Sequence, residues 1–528
     1  MSTNKLVGWK NSFTSLLNPK VVMMLFLGFS AGLPLLLIFS SLSLWLREAG
    51  VERSAVTYFS WAALGYSFKF VWAPLVDKLP IPFLTSLLGR RRSWLLLSQL
   101  SICGAIITMA MIDPALSSEN LTPLALAAVL LGFSSATQDI VIDALRIESA
   151  DESLQTIMSA GYIAGYRVGM IAAGAGALYL ASGFGSVMNS YSYEAWKYTY
   201  LIMASAMLVG LTTTLVIKEP AVSKTAQEHY QSTEYLQLFL LFIAAALGFV
   251  GCYFVSSPSA QLMKTSLGAT LGNATLAGFL IEMIRLGMGA TAALLIAALG
   301  TRLKFVNAEL VTKSYLDPIK DFFRRYGVKS AVLILALISL YRISDIVLGV
   351  ISNVFYQDLG YSKEEIAKVV KVIGLIMTIL GGYLGGLLAI RFGVIKILFL
   401  GALLSAGTNL LFVLLTQVGY NMPMLYLIIS ADNLSAGLAS TAFVAFLSSL
   451  TNISFTAMQY AIFSSLMTLL PKIIGGYSGG IVDNVGYSNF FLLTALMGIP
   501  VLWLIVLASR SFNITQRHNH SAVKTQSS

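Results

Sequence analysis

About fourteen stretches of roughly 20 apolar residues follow one another between Lys20 and Arg510. A helix rises about 1.5 Å per residue, so each stretch is long enough to cross the hydrocarbon core of a bilayer. Charged residues make up 11% of the chain, against about a quarter in soluble proteins. A water-soluble enzyme of 528 residues is therefore excluded, and the sequence predicts an all-α, polytopic membrane protein.

The spacing of the apolar stretches predicts two six-helix halves with an inserted pair of helices between them. We expect the first half at 1–217, the inserted pair and a cytoplasmic linker at 218–329, the second half at 330–510, and a disordered cytoplasmic tail at 511–528. The predicted spans are 21–46, 55–77, 94–112, 121–147, 155–182 and 194–217, then 235–257 and 269–300, then 330–351, 366–390, 394–416, 422–449, 453–476 and 486–508.

Basic residues are distributed unequally between the two sides of this predicted arrangement. If the N-terminus is cytoplasmic, 22 of the 34 Lys and Arg residues lie on the cytoplasmic side and 7 on the opposite side. Cytoplasmic loops of membrane proteins are enriched in Lys and Arg, so both termini are expected in the cytoplasm. The net charge of +10 therefore reflects orientation in a membrane, and no nucleic-acid partner is expected.

The region between the two halves contains two features with more than one interpretation. The polar stretch 302–329 is either an amphipathic helix on the cytoplasmic surface, with Phe322, Phe323 and Tyr326 against lipid or protein, or a linker that only orients the helices. In the inserted pair, Glu282 and Arg285 are three residues apart. We expect them to neutralise each other rather than to bind a substrate.

The sequence contains no recognisable catalytic or metal-binding set. The two cysteines, Cys103 and Cys252, lie in separate apolar segments, and none of the three histidines lies in a predicted span. No metal and no cofactor is therefore expected. An enzyme acting on lipid-linked sugars remains an alternative, but it would have to rely on carboxylates alone.

Four charged residues within predicted spans of the first half form a candidate set, namely Lys69, Asp139, Asp143 and Arg167. Asp139 and Asp143 are four residues apart and share one helix face. Lys69 and Asp139 lie roughly 12 Å from the cytoplasmic ends of their helices, and Arg167 roughly 18 Å. Because an ionisable group near the midplane costs about 3 kcal/mol or more, we interpret the four as a working pathway in which Asp139 and Asp143 carry the proton. Structural ion pairs that hold the helices together are the alternative.

The second half has polar residues within its own predicted spans. Arg342 and Asp345 are three residues apart on one helix, so a purely structural ion pair is an equally good interpretation of them. Tyr341 precedes this pair, Asp432 and Asn433 interrupt the fourth helix of this half, and Asn409 and Gln459 add neutral polar groups.

Glycines recur at helical spacing in the first and fifth predicted helices. The runs are GFSAGLP at 28–34 and GYIAGYRVGM at 161–170. Small residues at these spacings permit close helix crossings, which suit both a rigid bundle and a transporter whose halves rock. We therefore expect these two helices to be in close contact.

The loop after the second predicted helix contains APLVDK at 73–78 and GRRR at 89–92. A weaker copy, GGLLAIRFG, occurs at 385–393. Both resemble the G-x-x-x-D-[RK]-x-G-R-[RK] loop of the major facilitator superfamily, which implies twelve helices in two parallel repeats. A carboxylate at a helix end can bind a neighbouring helix N-terminus in one conformation and release it in another. The expected gating residues are Asp77, Arg90, Arg91 and Arg92.

Longer runs make the resemblance more specific. The sequence is similar to the AmpG muropeptide permease family in FSAGLPLLL (29–37), FKFVWAPLVD (68–77), SATQDIVIDA (135–144), GYRVGM (165–170) and STAFVAFL (440–447). This resemblance covers essentially all twelve core helices. It implies import of anhydromuropeptides, N-acetylglucosaminyl-1,6-anhydro-N-acetylmuramyl peptides, from periplasm to cytoplasm by proton symport for peptidoglycan recycling.

The resemblance also implies a location and a set of binding residues. We expect a monomer in the bacterial inner membrane whose only partners are protons, lipids and the muropeptide. Cations would pair with peptide carboxylates, and amides would bind sugar hydroxyls and acetamides. The alternatives are an acetyl-coenzyme A transporter, another facilitator of the same fold, and a non-transporting sensor. The expected substrate-binding residues are Lys69, Gln138, Tyr166, Arg167, Tyr341, Arg342, Asp345, Asn409, Asp432, Asn433 and Gln459.

Overall fold

A computed structural model describes residues 17–38, 40–51, 59, 65–150, 152–186, 190–220, 231–272, 274–475 and 478–509. Within these residues, thirteen helices are long and apolar enough to cross a membrane. The predicted polytopic, all-α class is confirmed. Most of the predicted span 55–77, and the whole predicted tail 511–528, lie outside the described residues.

The helices of the first half follow the predicted spans closely, with short helices in the connecting loops. Glycines and prolines do not end the long helices in which they occur. Pro34, for example, lies within a helix that continues to Ile38. The helices are α1 (Pro19–Ile38), α2 (Ser40–Glu48), α3 (Gly65–Phe68), α4 (Ala73–Lys78), α5 (Leu84–Leu88), α6 (Arg90–Ala110), α7 (Leu121–Ser149), α8 (Glu152–Ile171), α9 (Ala177–Gly183), α10 (Tyr193–Ala206) and α11 (Leu208–Val216).

The described part of the second predicted span is not one continuous helix. Between α3 and α4, residues Lys69–Val71 form a 3-10 turn. The prediction of an unbroken helix to residue 77 is therefore wrong in this part. Since 3-10 stretches inside longer helices often mark hinges, Lys69 lies at a position where the backbone can change direction.

The described residues divide into two compact units, one of which contains the insertion. This smaller unit comprises Asp77–Leu79 and Ser223–Asp321, where described. Two helices of the insertion are long and apolar enough to cross a membrane, Thr233–Val255 and Leu280–Arg302, and a shorter helix beginning with Ser257 and Pro258 separates them. The three helices are α12 (Ser232–Val255), α13 (Ser257–Leu271) and α14 (Ala274–Arg302).

A polar network joins the three inserted helices. Arg285 donates to Glu282 at 2.8 Å, as the sequence predicted, and lies 3.9 Å from the centre of the Tyr253 ring. Lys264 and Tyr253 donate to the same carboxylate at 2.5 and 2.6 Å. Glu282 is thus the shared partner of two cations within the insertion.

The linker after the insertion is helical and continues into the second half. Its helix bends at Gly327, whose φ of 72° is readily adopted by glycine. Phe322 is buried and packs 5.2 Å from the ring of Phe463, so at this point the linker contacts protein. The helices here are α15 (Ala308–Val311), α16 (Asp317–Leu340), α17 (Ile343–Asp358), α18 (Lys363–Ile366), α19 (Gly374–Phe392), α20 (Val394–Val418), α21 (Met422–Leu450), α22 (Thr456–Gly475) and α23 (Ser478–Leu496).

Glycines bring α1 and α8 into direct backbone contact. A Cβ added at Gly32 would lie 2.0 Å from the carbonyl oxygen of Tyr166, and one added at Gly165 would lie 1.9 Å from that of Leu25. The predicted close crossing of these helices is confirmed. The second half repeats the arrangement, since a Cβ at Gly381 of α19 would lie 2.0 Å from a carbonyl oxygen of α21.

Gly165→Ala is expected to destabilise the fold by about 1–3 kcal/mol, because the added methyl group forces α1 and α8 apart. The measurement is the thermal unfolding temperature of the detergent-purified protein. Gly104→Ala is the matched control, since a Cβ at that helical glycine meets nothing within 4 Å. Equal unfolding temperatures for the two variants would show that the close crossing contributes nothing.

Candidate functional site

Four charged side chains of the first half form one buried group, which we call the first-half cluster: Lys69, Asp139, Asp143 and Arg146. Asp143 lies 3.7 Å from the Lys69 amine and 3.2 Å from the Arg146 guanidinium. All four residues are at most 8% exposed. The two cations and two carboxylates balance in charge, which is what a group of this kind needs inside a membrane.

Arg146 is a member of this cluster that is not among the predicted site residues, although it shares a helix face with the two aspartates. It is fully buried. Its guanidinium donates to Ser159 at 3.0 Å and, across the two halves, to Ser448 at 2.6 Å. It also lies 5.2 Å from the centre of the Tyr460 ring. The signal available in the sequence was its i+3 spacing from Asp143 on the same helix.

Asp139 is the carboxylate of the cluster with fewer partners. It accepts one hydrogen bond, from Tyr162 at 3.3 Å, and interacts electrostatically with Lys69 and Asp143. The adjacent Gln138 is fully buried, and both polar atoms of its amide lack a hydrogen-bond partner among the described residues. Among the described residues, the side chains of Asp139 and Gln138 thus receive few hydrogen bonds from neighbouring helices.

Arg167 lies at the boundary between the two halves. Within the described residues it forms no ion pair and no hydrogen bond, although it is only half-exposed. It interacts electrostatically with Arg342 and Asp345 of the second half. Tyr166 interacts with both Asp139 and Arg167, so it lies between the first-half cluster and this arginine.

A second charged group, the second-half cluster, consists of Arg342, Asp345 and Asp432. Arg342 lies in the turn between α16 and α17, so the prediction that it shares a helix with Asp345 is wrong, but it donates to Asp345 at 2.9 Å and to Ser440 of α21 at 2.9 Å. Asp432 accepts from Thr408 at 3.2 Å and interacts electrostatically with both other members. Since Arg167 interacts electrostatically with Arg342 and Asp345 of this cluster, it links the polar residues of the first half to those of the second.

The remaining predicted binding residues lie inside the second half. The Tyr341 hydroxyl donates to the Leu398 carbonyl at 3.0 Å, and its ring stacks 4.3 Å from Phe443. The amide of Asn409 donates to Ser344 at 2.8 Å, and Asn433 accepts from Thr378 at 3.0 Å. Gln459 accepts from Arg325 at 3.0 Å and from the Asn452 backbone at 2.8 Å, apart from the clusters described above.

Two of the three predicted gating arginines lie beside a carboxylate that the sequence did not identify, Glu148 at the end of α7. Arg91, only 1% exposed, donates to Glu148 at 3.0 Å, and Thr456 at the start of α22 donates to the same carboxylate at 2.6 Å. Arg90 lies 4.0 Å from it. A residue pair from the first half is therefore bonded to the second half, and we call this contact the Glu148 latch.

The other gating residues have different neighbours. The backbone amides of Arg91 and Arg92 donate to Glu219 at 2.8 and 3.1 Å, which caps the start of α6. The Arg92 side chain donates to the carbonyl oxygens of Thr214 and Leu215 at 3.0 and 2.7 Å. Asp77 is buried at the end of α4.

Comparison with known proteins gives the following similarities. A family model described as "Acetyl-coenzyme A transporter 1" matches residues 20–241. The chain is 31% identical to "Putative transporter AmpG 4" of Rickettsia felis over 92% of this chain and 96% of that protein. It is 26% identical to "Anhydromuropeptide permease" of Escherichia coli K12, over 96% of this chain and 83% of that protein.

Two solved structures of the major facilitator superfamily resemble the fold. The proton:xylose symporter XylE, bound to 6-bromo-6-deoxy-D-glucose, aligns with a TM-score of 0.57 at 13% identity, over 93% of this chain and 95% of that one. FucP in the outward conformation aligns with a TM-score of 0.57 at 11% identity, over 94% and 99% of the two chains. At these identities the likeness establishes the fold alone.

Proposed function

The chain belongs to the AmpG transporter family of the major facilitator superfamily, and on that premise we propose that it imports anhydromuropeptides together with protons. The chain is a multi-pass membrane transporter rather than an enzyme. The relative from Escherichia coli that is named an anhydromuropeptide permease supports the choice of cargo.

The observation that carries the proposal is the unpaired Arg167 opposite the second-half cluster. In the part of the chain that the structure describes, Lys69 and Arg146 share Asp143, and Arg342 is bonded to Asp345. Arg167 has no such carboxylate. A guanidinium binds a carboxylate through two parallel hydrogen bonds, so it suits the acidic peptide of a muropeptide better than it suits a neutral sugar.

For the coupling ion, we propose that Asp139 takes up the proton and that Asp143 anchors the two cations. Asp143 has two cationic partners, whereas Asp139 depends on Lys69, which lies on the 3-10 turn. A movement of that turn would take the lysine away from both aspartates, after which Asp143 would keep Arg146 and Asp139 would lose its neighbouring cation. The buried carboxylate would then be stabilised by gaining a proton.

The orientation and location follow from the same proposal. Import into the cytoplasm places the chain in the bacterial inner membrane, with both termini and the linker on the cytoplasmic side, in accordance with the excess of basic residues there. The Glu148 latch then joins the halves at their cytoplasmic ends. We propose the monomer as the transporting unit, with the halves 1–217 and 330–510 on either side of the substrate path.

The experiment is uptake of labelled N-acetylglucosaminyl-anhydromuramyl peptide into proteoliposomes under an inward proton gradient. Arg167→Gln is expected to lower kcat/KM about 10- to 100-fold, because hydrogen bonds to a charged group contribute about 1.5–3 kcal/mol. Lys396→Gln, an exposed cation at the start of α20, is the control and should leave uptake unchanged. Competition by the free disaccharide would show that the sugar is part of what is recognised.

A second candidate cargo is acetyl-coenzyme A, which the family model matching residues 20–241 favours. Its phosphates would require several unpaired cations close together. Among the described charged residues of the two clusters, Lys69, Arg146 and Arg342 each have a carboxylate partner. Uptake of acetyl-coenzyme A without uptake of the muropeptide would overturn the proposal and favour this alternative.

A further inference from the structure

A cavity of about 570 Å³ lies beside the start of α1, where α7 and α11 end. Met23 and Phe26 of α1 and Val216 at the end of α11 form an apolar wall. Phe26 and Val216 are exposed, and both belong to helices that are long and apolar enough to cross a membrane. The volume lies within the range of small-molecule binding sites, and the wall suits a hydrocarbon chain.

Two lysines lie at the polar end of this cavity. Lys20 and Lys218 are both exposed, and among the described residues that line the cavity none is acidic. The Lys20 amine donates to the carbonyl oxygen of Ser149 at 2.5 Å, which leaves two N–H groups for a ligand. The cavity therefore combines an apolar wall with a doubly cationic rim.

The charges around the rim do not cancel the two lysines. Glu219, next to Lys218 in the chain, has its carboxylate oxygens bonded to the backbone amides at the start of α6. The negative end of α11 is neutralised by Arg92, which binds the carbonyl oxygens of Thr214 and Leu215. An anion at the rim would thus meet the two lysines, while the neighbouring Glu219 carboxylate is already bonded.

We propose that this cavity binds one anionic glycerophospholipid, with its phosphate between Lys20 and Lys218 and an acyl chain along Met23, Phe26 and Val216. Basic pockets between membrane helices on the cytoplasmic side are the usual sites for such headgroups. A free phosphate ion would use the lysines but leave the apolar wall empty. The lipid would hold together the ends of α1, α7 and α11, and α7 carries both the first-half cluster and Glu148.

The test is a titration of the full-length protein with dioleoylphosphatidylglycerol, followed by native mass spectrometry. Each lysine near an anionic headgroup contributes about fivefold in affinity, so Lys20→Gln with Lys218→Gln should weaken binding about 25-fold. Dioleoylphosphatidylcholine should bind the unmodified protein weakly. Met23→Trp keeps both lysines but fills the apolar wall, and it should weaken binding as well.

Lys329→Gln with Lys396→Gln is the matched control, because it removes two exposed lysines elsewhere on the proposed cytoplasmic side. It should change affinity less than about twofold, since these lysines border no part of the cavity. Equal weakening by the control would mean that only general surface charge is at work. Unchanged binding in Met23→Trp, or displacement of the lipid by inorganic phosphate, would likewise overturn the proposal.

Discussion

Replacing Asp139 by asparagine is expected to abolish accumulation of substrate against its gradient while exchange of substrate across the membrane continues. An asparagine has nearly the shape of aspartate but cannot take up and release a proton. Within the described parts of the chain, Asp139 accepts one hydrogen bond, at 3.3 Å from Tyr162, so the substitution breaks few contacts there. The measurement compares proton-driven uptake with substrate counterflow in the same proteoliposomes.

Asp143→Asn should behave differently from Asp139→Asn, so comparing the two variants separates a proton site from a structural ion pair. Removing the carboxylate leaves Lys69 and Arg146 buried without their shared partner, which costs about 3–5 kcal/mol. We expect a lower unfolding temperature and loss of both uptake and counterflow. Asp317→Asn, in an exposed and loose ion pair with Lys320, is the control. If Asp139→Asn still accumulates substrate, the proton site lies elsewhere, and Asp345 and Asp432 are the next candidates.

Glu148→Gln is expected to open the contact between the two halves. The Arg91–Glu148 pair lies within the first half, and it is the hydrogen bond from Thr456 to the Glu148 carboxylate, at 2.6 Å, that joins the two halves. A hydrogen bond to a charged group contributes about 1.5–3 kcal/mol, and the substitution weakens this bond only in the conformation in which the latch is closed. Because about 1.4 kcal/mol changes an equilibrium tenfold, the open conformation should gain about 10- to 100-fold in population relative to the closed one.

The opening can be measured with a single cysteine at Ala160, in a variant without Cys103 and Cys252. Ala160 is 1% exposed and lies against Gly386 of the other half, so a water-soluble maleimide should label it only when the halves separate. Labelling should be much faster in Glu148→Gln. Glu194→Gln, which removes an exposed ion pair at 3.3 Å, should leave the rate unchanged. Equal rates in all variants would show that the latch does not control opening.

The positions of the membrane-spanning helices along the chain could be predicted because they depend on local sequence. A run of apolar residues must form a helix in a bilayer, since no water is present to satisfy its backbone groups. The glycines of α1 and α8 were informative for a similar reason, because only small residues allow two backbones to touch. The extra helix Ser257–Leu271 and the break at Lys69 were missed, because hydropathy reports the length of a span and not its bends.

The sequence predicts which charges lie within apolar spans, but the partners of these charges depend on how the helices pack. Asp143 pairs with Arg146 and Lys69, whereas Arg167 forms no ion pair with either aspartate among the described residues. The Glu148 latch joins residues 308 positions apart in the chain. Ion pairs require atoms within about 4 Å, and a rotation of one helix about its axis moves a side chain farther than that. The spacing of residues along a helix determines which of them share a face. The packing of the helices determines which residues of other helices lie against that face.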